Sequence, residues 1–208
     1  MTEIEKTDNE QLILKAAEQE FLTKGYDGAR TTSIAQKAGV THAMLHYYFR
    51  TKKQLFDRII EKTVETFKEA ILAALGNPNM LFVDRLKDGI ASQFDIMVAN
   101  PLLPRFFLNA TISSPELYDL LYERIASFVK VLIVDLQKEA DAAAERGEIE
   151  KTDIQVLLIT IMSLNVFPFI AYPFIGPVMG EMNPDREKFL AERKAENIEL
   201  IMKRIIKQ

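Results

Sequence analysis

TTSIAQKAGVTHAMLHYYFRTK, residues 31–52, decides the fold. The stretch reads as two short helices joined by a tight turn, followed by the basic start of another helix. Ile34 and Ala35 sit in the first helix and Gly39 supplies the turn. Val40 and Leu45 are the apolar anchors that hold the second helix across the first. Helices that cross steeply over so short a turn need a small residue at the contact and a residue tolerant of positive φ. Thr41 is positioned to N-cap the second helix. Its exposed face then carries His42, Ala43, Met44, His46 and Tyr47, where a DNA major groove would lie. The pattern implies a helix-turn-helix that reads double-stranded DNA.

Other residues of the stretch have two readings each. Thr31 is a cap for the first helix, or also a hydroxyl aimed at a phosphate, with Thr32 beside it at the groove edge. Lys52 combines a cation with a helix N-terminus, which suits a phosphate; the alternative is a solvated surface lysine. Tyr47 fits a backbone contact through its hydroxyl, while Tyr48 and Phe49 are expected to pack inward. His42 and His46, the only histidines, have the spacing of a helical metal pair. With no carboxylate or thiolate close by, they are assigned to DNA and no metal is expected. Imidazoles ordinarily titrate near about 6.5, so DNA affinity is expected to fall as pH rises through neutrality.

Residues 13–56 as a whole resemble the N-terminal domain of the TetR family of bacterial transcriptional regulators. The matching landmarks are Ala16, Ala17 and Phe21, then Gly25-Tyr26, Ile34-Ala35, Ala38-Gly39-Val40, Leu45, Tyr48-Phe49, Lys52 and Leu55-Phe56. The resemblance covers about the first quarter to third of the chain. It implies an all-α protein with an N-terminal three-helix domain and a larger C-terminal helical domain for ligand binding and dimerisation. It also tips Lys52 toward a phosphate, and implies a repressor that a small molecule releases. Ala43 conforms to the family pattern. His42 stands where lysine is more usual, Met44 where threonine or serine is, and His46 where a phosphate-binding tyrosine is. Met44 can pack on a thymine methyl but donates no hydrogen bond, so the operator cannot be copied from a relative.

A net charge of −4 looks wrong for a nucleic-acid binder until it is divided. Lys24 to Lys62 holds eight basic and three acidic residues, whereas 63–208 holds sixteen basic and twenty-one acidic. A basic module on an acidic body meets the need of operator binding, since only the face near phosphates must be positive. There is no cysteine, so neither a disulfide framework nor a thiolate metal site exists. The polar start MTEIEKTDNEQ is no signal peptide, and a cytoplasmic location is expected.

Helical signals continue along the chain. One helix is expected from about Asn9 to Lys24, ending at Gly25. Thr51 with Gln54 forms a capping box opening a long helix 4 that runs to about Leu75, before Gly76-Asn77-Pro78. Another spans about Met80 to Val98 until Asn100, Pro101 and Pro104 break it. Ser114-Pro115 launches a helix that stops at Gly147, Thr152 and Gln155 form a second capping box, and Asn183-Pro184 starts the last helix. No useful stretch alternates with period two, so strands are not expected. The organisation is read as a DNA-binding domain, 1–50, joined through helix 4 (about 52–75) to a ligand-binding and dimerisation domain, 51–208.

Bulky groups with scattered polar atoms suggest an apolar pocket. The candidates are Phe94, Met97, Phe106, Phe107, Asn109, Tyr118, Tyr122, Asn165 and Phe169, and the effector is expected to be small and hydrophobic. For any one of them an ordinary core place is the alternative. Carboxylates on the 84–95 segment would admit a cation if they point inward. Residues 155–180, QVLLITIMSLNVFPFIAYPFIGPVMG, carry no charge and are long enough to span a bilayer. Pro168, Pro173 and Pro177 are expected to cut the second half of this run, so burial against a partner chain is preferred and no membrane is expected. Ile161, with Ala191, Ala195, Ile198, Met202 and Ile205 on the last helix, is assigned to a homodimer seam. Catalysis is not expected: both histidines lie on the recognition helix, there is no glycine-rich phosphate loop and the carboxylates are dispersed. No cofactor is expected. A co-repressor-dependent regulator or activator of the same family, and a membrane-associated helical interaction protein, stand as alternatives.

Overall fold

In a computed structural model of the chain, the described residues are 3–77, 79–113, 115–182 and 185–207. Among them lie nine α-helices: α1 Glu3–Gly28, α2 Thr31–Ala38, α3 His42–Tyr48, α4 Lys52–Leu75, α5 Phe82–Ala99, α6 Leu103–Ser113, α7 Pro115–Glu145, α8 Ile154–Met182 and α9 Arg186–Ile205. Among the described residues the one extended pairing is an isolated antiparallel bridge between Ile149 and Ile206. The all-α class expected from the sequence is the class observed.

The chain divides into two units. One runs to Glu65 and takes in Arg105–Arg124; the other comprises Thr66–Pro104 and the residues from Ile125 onward. In the first unit, Phe21, Tyr26 and Phe56 fasten α1 to α4. Phe21 and Phe56 meet edge-on with centroids 5.1 Å apart, Tyr26 and Phe56 at 4.9 Å. Ile13, Ala17, Ile34, Leu45 and Leu55 fill the space around them. In the second unit, α5, α7, α8 and α9 share a core of Phe82, Leu86, Ile90, Leu136, Ala140, Leu157, Ile161, Ile201 and Ile205.

Several boundaries differ from expectation. The first helix starts at Glu3 rather than near Asn9, while Gly25 (φ 70°, ψ 178°) does interrupt it as expected. The α6 helix was not foreseen. Pro104 is its second residue, and the first helical turn has no use for the missing N–H. Asp153, rather than Thr152, caps α8: its carboxylate accepts from the backbone N–H of Gln155 and Val156. Asp185 caps α9 by accepting from Lys188 N. The expected cap at Ser114, the expected start at Asn183-Pro184 and the expected break at Pro78 lie outside the described residues. Thr51 caps α4, with the Gln54 N–H donating to its hydroxyl at 3.1 Å.

Two larger corrections concern α8 and α9. The α8 helix is not cut by Pro168, Pro173 or Pro177 but runs through all three. A proline inside a helix leaves the carbonyl four residues earlier without its N–H partner. At Pro168 that carbonyl is Leu164 O, and Asn197 Nδ2 of α9 donates to it at 3.0 Å. The dimer seam also fails in part. Ile161, Met202 and Ile205 are buried in the chain's own core, and Ile198 packs against it half-buried; only Ala191 and Ala195 of the set are exposed. The inward face of α9 is Leu190, Asn197, Ile201, Met202 and Ile205, which shares Met202 and Ile205 with the expected stripe and is otherwise one residue out of step with it.

Candidate nucleic-acid interface

The α2 helix ends at Gly39, whose φ of 70° is left-handed. A Cβ at Gly39 would meet nothing within 4 Å, so the backbone angle, not lack of space, calls for glycine there. Gly39 N donates to Gln36 O and Val40 N to Ala35 O, closing the helix end. Thr41 then caps α3 as expected, its hydroxyl accepting from Met44 N at 3.1 Å. Leu45 is buried, turning His42, Ala43, His46 and Tyr47 to the exposed side, with Met44 half-buried. The short helix thus presents a face with no charge of its own except what the two imidazoles acquire.

Thr31 does not cap α2. The N-cap position belongs to Arg30, which makes no side-chain cap bond. The Thr31 hydroxyl instead lies 3.1 Å from His42 Nε2, linking the first residues of α2 and α3. Thr32 is exposed beside it. His42 and His46 meet edge-to-face with ring centroids 4.4 Å apart, and His46 Nδ1 lies 3.3 Å from Arg50 O. Among the described residues no group of three metal-ligating side chains gathers. Tyr47 is exposed and edge-on to half-buried Tyr48, and Phe49 packs inward. Lys52 is engaged within the protein: its ammonium donates to Asp27 O and Ala29 O and sits 4.6 Å from the centroid of the Tyr26 ring. An ammonium has three N–H donors, and the two carbonyls take two of them.

Glu20 was missed by sequence reading. Its side chain is fully buried between α1 and α2, accepting from Lys24 Nζ and Lys37 Nζ at 2.7 Å and from Ser33 Oγ at 3.1 Å. Burial alone would push the carboxyl up; the two lysines and the serine outweigh it and hold it at about 2. The signal was available, since Glu20 interrupts the inward stripe of Ile13, Ala16, Ala17 and Phe21.

The expected pocket residues fall into separate groups. In the second unit, Phe94, Met97 and Phe169 form a filled cluster with Leu190, and Phe94 meets Phe169 at 5.4 Å. Asn165 is fully buried, donating to Ile90 O and Gln93 Oε1 and accepting from Asn197. In the first unit, Phe106 is buried against Phe56 and touches Phe107. Asn109 is exposed, and Tyr118 and Tyr122 stack in solvent. The second unit does carry an open cleft of about 600 Å³ on α4 and α5, lined by Thr66, Asp88, Ser92, Asp95 and Asn100 with two alanines and Ile96. None of the nine expected residues lines it. Asp95 in its wall is paired with Lys194 at 2.8 Å.

Comparison with known proteins agrees with this geometry. The family model of bacterial regulatory proteins, tetR family, matches residues 13–59. The HTH-type transcriptional repressor BepR of Brucella suis biovar 1 is 31% identical over 101 residues, which are 48% of this chain and 47% of BepR. The match thus spans about half the length of that relative. Among solved structures, a Clostridium perfringens protein proposed as a fatty acid metabolism regulator superposes with a TM-score of 0.73 at 22% identity, over 95% of this chain and all of its own. A transcriptional regulator of the TetR/AcrR family from Thermobifida fusca gives 0.64 at 19% identity, over 92% and 97%. At such identities the structures speak for the fold.

Proposed function

This chain belongs to the TetR family of bacterial regulatory proteins, and from that premise we propose that it is a ligand-responsive transcriptional regulator acting as a dimer on a palindromic operator. The observation that carries this reading is the exposed face of α3, held across α2 by the Gly39 turn and the Thr41 cap. In this reading His42, Ala43, Met44 and His46 meet base edges, and Thr31, Thr32, Thr41, Tyr47 and Lys52 serve phosphates. Residues 1–50 are the DNA-binding domain and 51–208 the ligand-binding and dimerisation domain. Repression relieved by ligand is the preferred direction.

The partner surface is assigned to the outer face of α8. Val156, Ile159, Phe167, Phe174 and Val178 are all exposed and fall on one side of the helix. A palindromic operator with half-sites one helical turn apart calls for two recognition helices about 34–36 Å apart, which a second copy would supply. By length and composition α8 also satisfies the requirement for a membrane span, with a mean hydropathy of 2.1 over Ile154–Tyr172. Its inner face argues for protein on both sides: Asn165 is buried there and bonded to neighbouring helices, an arrangement of a packed helix.

Effector coupling is assigned to α4, which runs unbroken from Lys52 to Leu75. At its far end Leu75 O accepts from Arg85, and the Leu75 side chain fits against Gly89, where a Cβ would come within 2.9 Å. A molecule that prefers one setting of α4 must weaken or strengthen DNA binding by the same coupling factor. A small apolar compound is the preferred effector; a cationic one would meet Asp88 of the cleft, Asp95 being paired with Lys194. Selection of bound sequences from random duplex DNA tests the function. One palindrome is the expected result; salt-sensitive, sequence-blind binding would overturn it.

A further inference from the structure

A carbonyl oxygen can only accept, so the His46 Nδ1 facing Arg50 O carries the ring hydrogen. The neutral His46 ring therefore offers Nε2 as a bare acceptor on the exposed side of α3. His42, one turn earlier, is tied to Thr31, and the perpendicular contact of the two rings fixes both orientations. Asp27 apart, the charged groups of the neighbouring elements are cations or neutralised pairs. Lys37 of α2 is held by Glu20, Lys53 of α4 by Asp57, and Lys52 by backbone carbonyls. Arg30 and Arg50 are exposed in the turns, as is Asp27 near the end of α1.

We propose that proton uptake by this pair changes the base that α3 selects, with His46 as the reader. This rests on the DNA-reading function proposed above. In the major groove adenine and cytosine present an exocyclic amino group, whereas guanine and thymine present a keto oxygen. Neutral His46 accepts from an amino base through Nε2. Protonated His46 donates from Nε2–H to a keto oxygen or a purine N7, and cytosine alone presents no acceptor. One position in each half-site therefore passes from cytosine to a keto base when His46 gains a proton.

The test is selection from random duplexes at about pH 6 and about pH 8, at one salt concentration, with the wild type, His46→Gln and His42→Gln. Glutamine both donates and accepts but does not titrate. Matching melting curves establish that the variants fold. The expected result is one position whose preference between cytosine and a keto base shifts by about tenfold or more between the two pH values. The shift disappears in His46→Gln and persists in His42→Gln. An identical motif at both pH values, with only affinity rising in acid, would make His46 a phosphate contact and overturn the proposal. A shift that survives in His46→Gln overturns it as well. No motif at either pH would overturn the DNA-reading function itself, and this proposal with it.

Discussion

Asn197 of α9 donates to the carbonyl oxygen of Leu164 in α8 at 3.0 Å, and that carbonyl is the one Pro168 deprives of its helical partner. The same amide nitrogen donates to Asn165 Oδ1 at 2.9 Å, and Asn165 in turn donates to Gln93 Oε1 at 2.6 Å. Three buried amides thus join α5, α8 and α9, and the proline is tolerated because a neighbouring helix supplies the missing donor. Replacing Asn197 by leucine leaves Leu164 O and Asn165 Oδ1 unpaired, and should cost about 2–4 kcal/mol in urea unfolding. In a Pro168→Ala background, where the N–H returns, the cost should shrink by about 1 kcal/mol or more. Strict additivity of the two substitutions would show that Asn197 does not compensate for the proline.

Glu20 makes an acid-side prediction. Its folded pKa, about 2, lies below the ordinary carboxylate value of 4.5. The ionised form is therefore favoured by folding, and its contribution is fully present above pH 4.5 and lost as pH falls toward 2. Glu20→Gln should destabilise the protein by about 2 kcal/mol at neutral pH, and the gap from wild type should narrow steadily below 4.5. A gap independent of pH would mean that the carboxylate charge is not what ties α1 to α2.

Ile205 and Ala195 separate core from surface on α9. Ile205→Ala should cost about 2–4 kcal/mol, because Ile205 sits in the core shared with α5, α7 and α8. Ala195→Lys, on the exposed side, should change monomer stability by less than about 0.5 kcal/mol. Thermal or urea melts decide it, and the reverse ranking would restore the seam first read from the sequence.

The places where the sequence was and was not legible have physical causes. Gly39, Thr41 and Leu45 announce the helix-turn-helix because each has a local job: a left-handed angle, a cap, an anchor. The register of α9 was misread because its inward stripe contains Asn197, a polar residue that periodicity counts as exposed. Glu20 was passed over for the same reason on α1. The continuity of α8 was hidden because three prolines signal breaks locally, and only tertiary contact shows what replaces the lost bond. The pocket set gathered bulky residues, and bulk alone does not distinguish a filled cluster such as Phe94–Phe169 from a lined cavity.

The outer face of α8 makes a prediction about assembly. Phe167 is 62% exposed, so Phe167→Asp should leave the melting curve of the isolated chain almost unchanged. In sedimentation it should convert a dimer into a monomer, and operator affinity should fall by about a hundredfold or more. A monomeric wild type, or a variant that still dimerises, would move the interface elsewhere.

The most direct measurement compares the selected palindrome with the same duplex carrying about five additional base pairs between its half-sites, half a helical turn. If two α3 helices held by one dimer read both halves, the longer duplex should bind at least about a hundredfold more weakly, near the level of an isolated half-site. Equal affinity for the two duplexes would contradict a fixed pair of recognition helices.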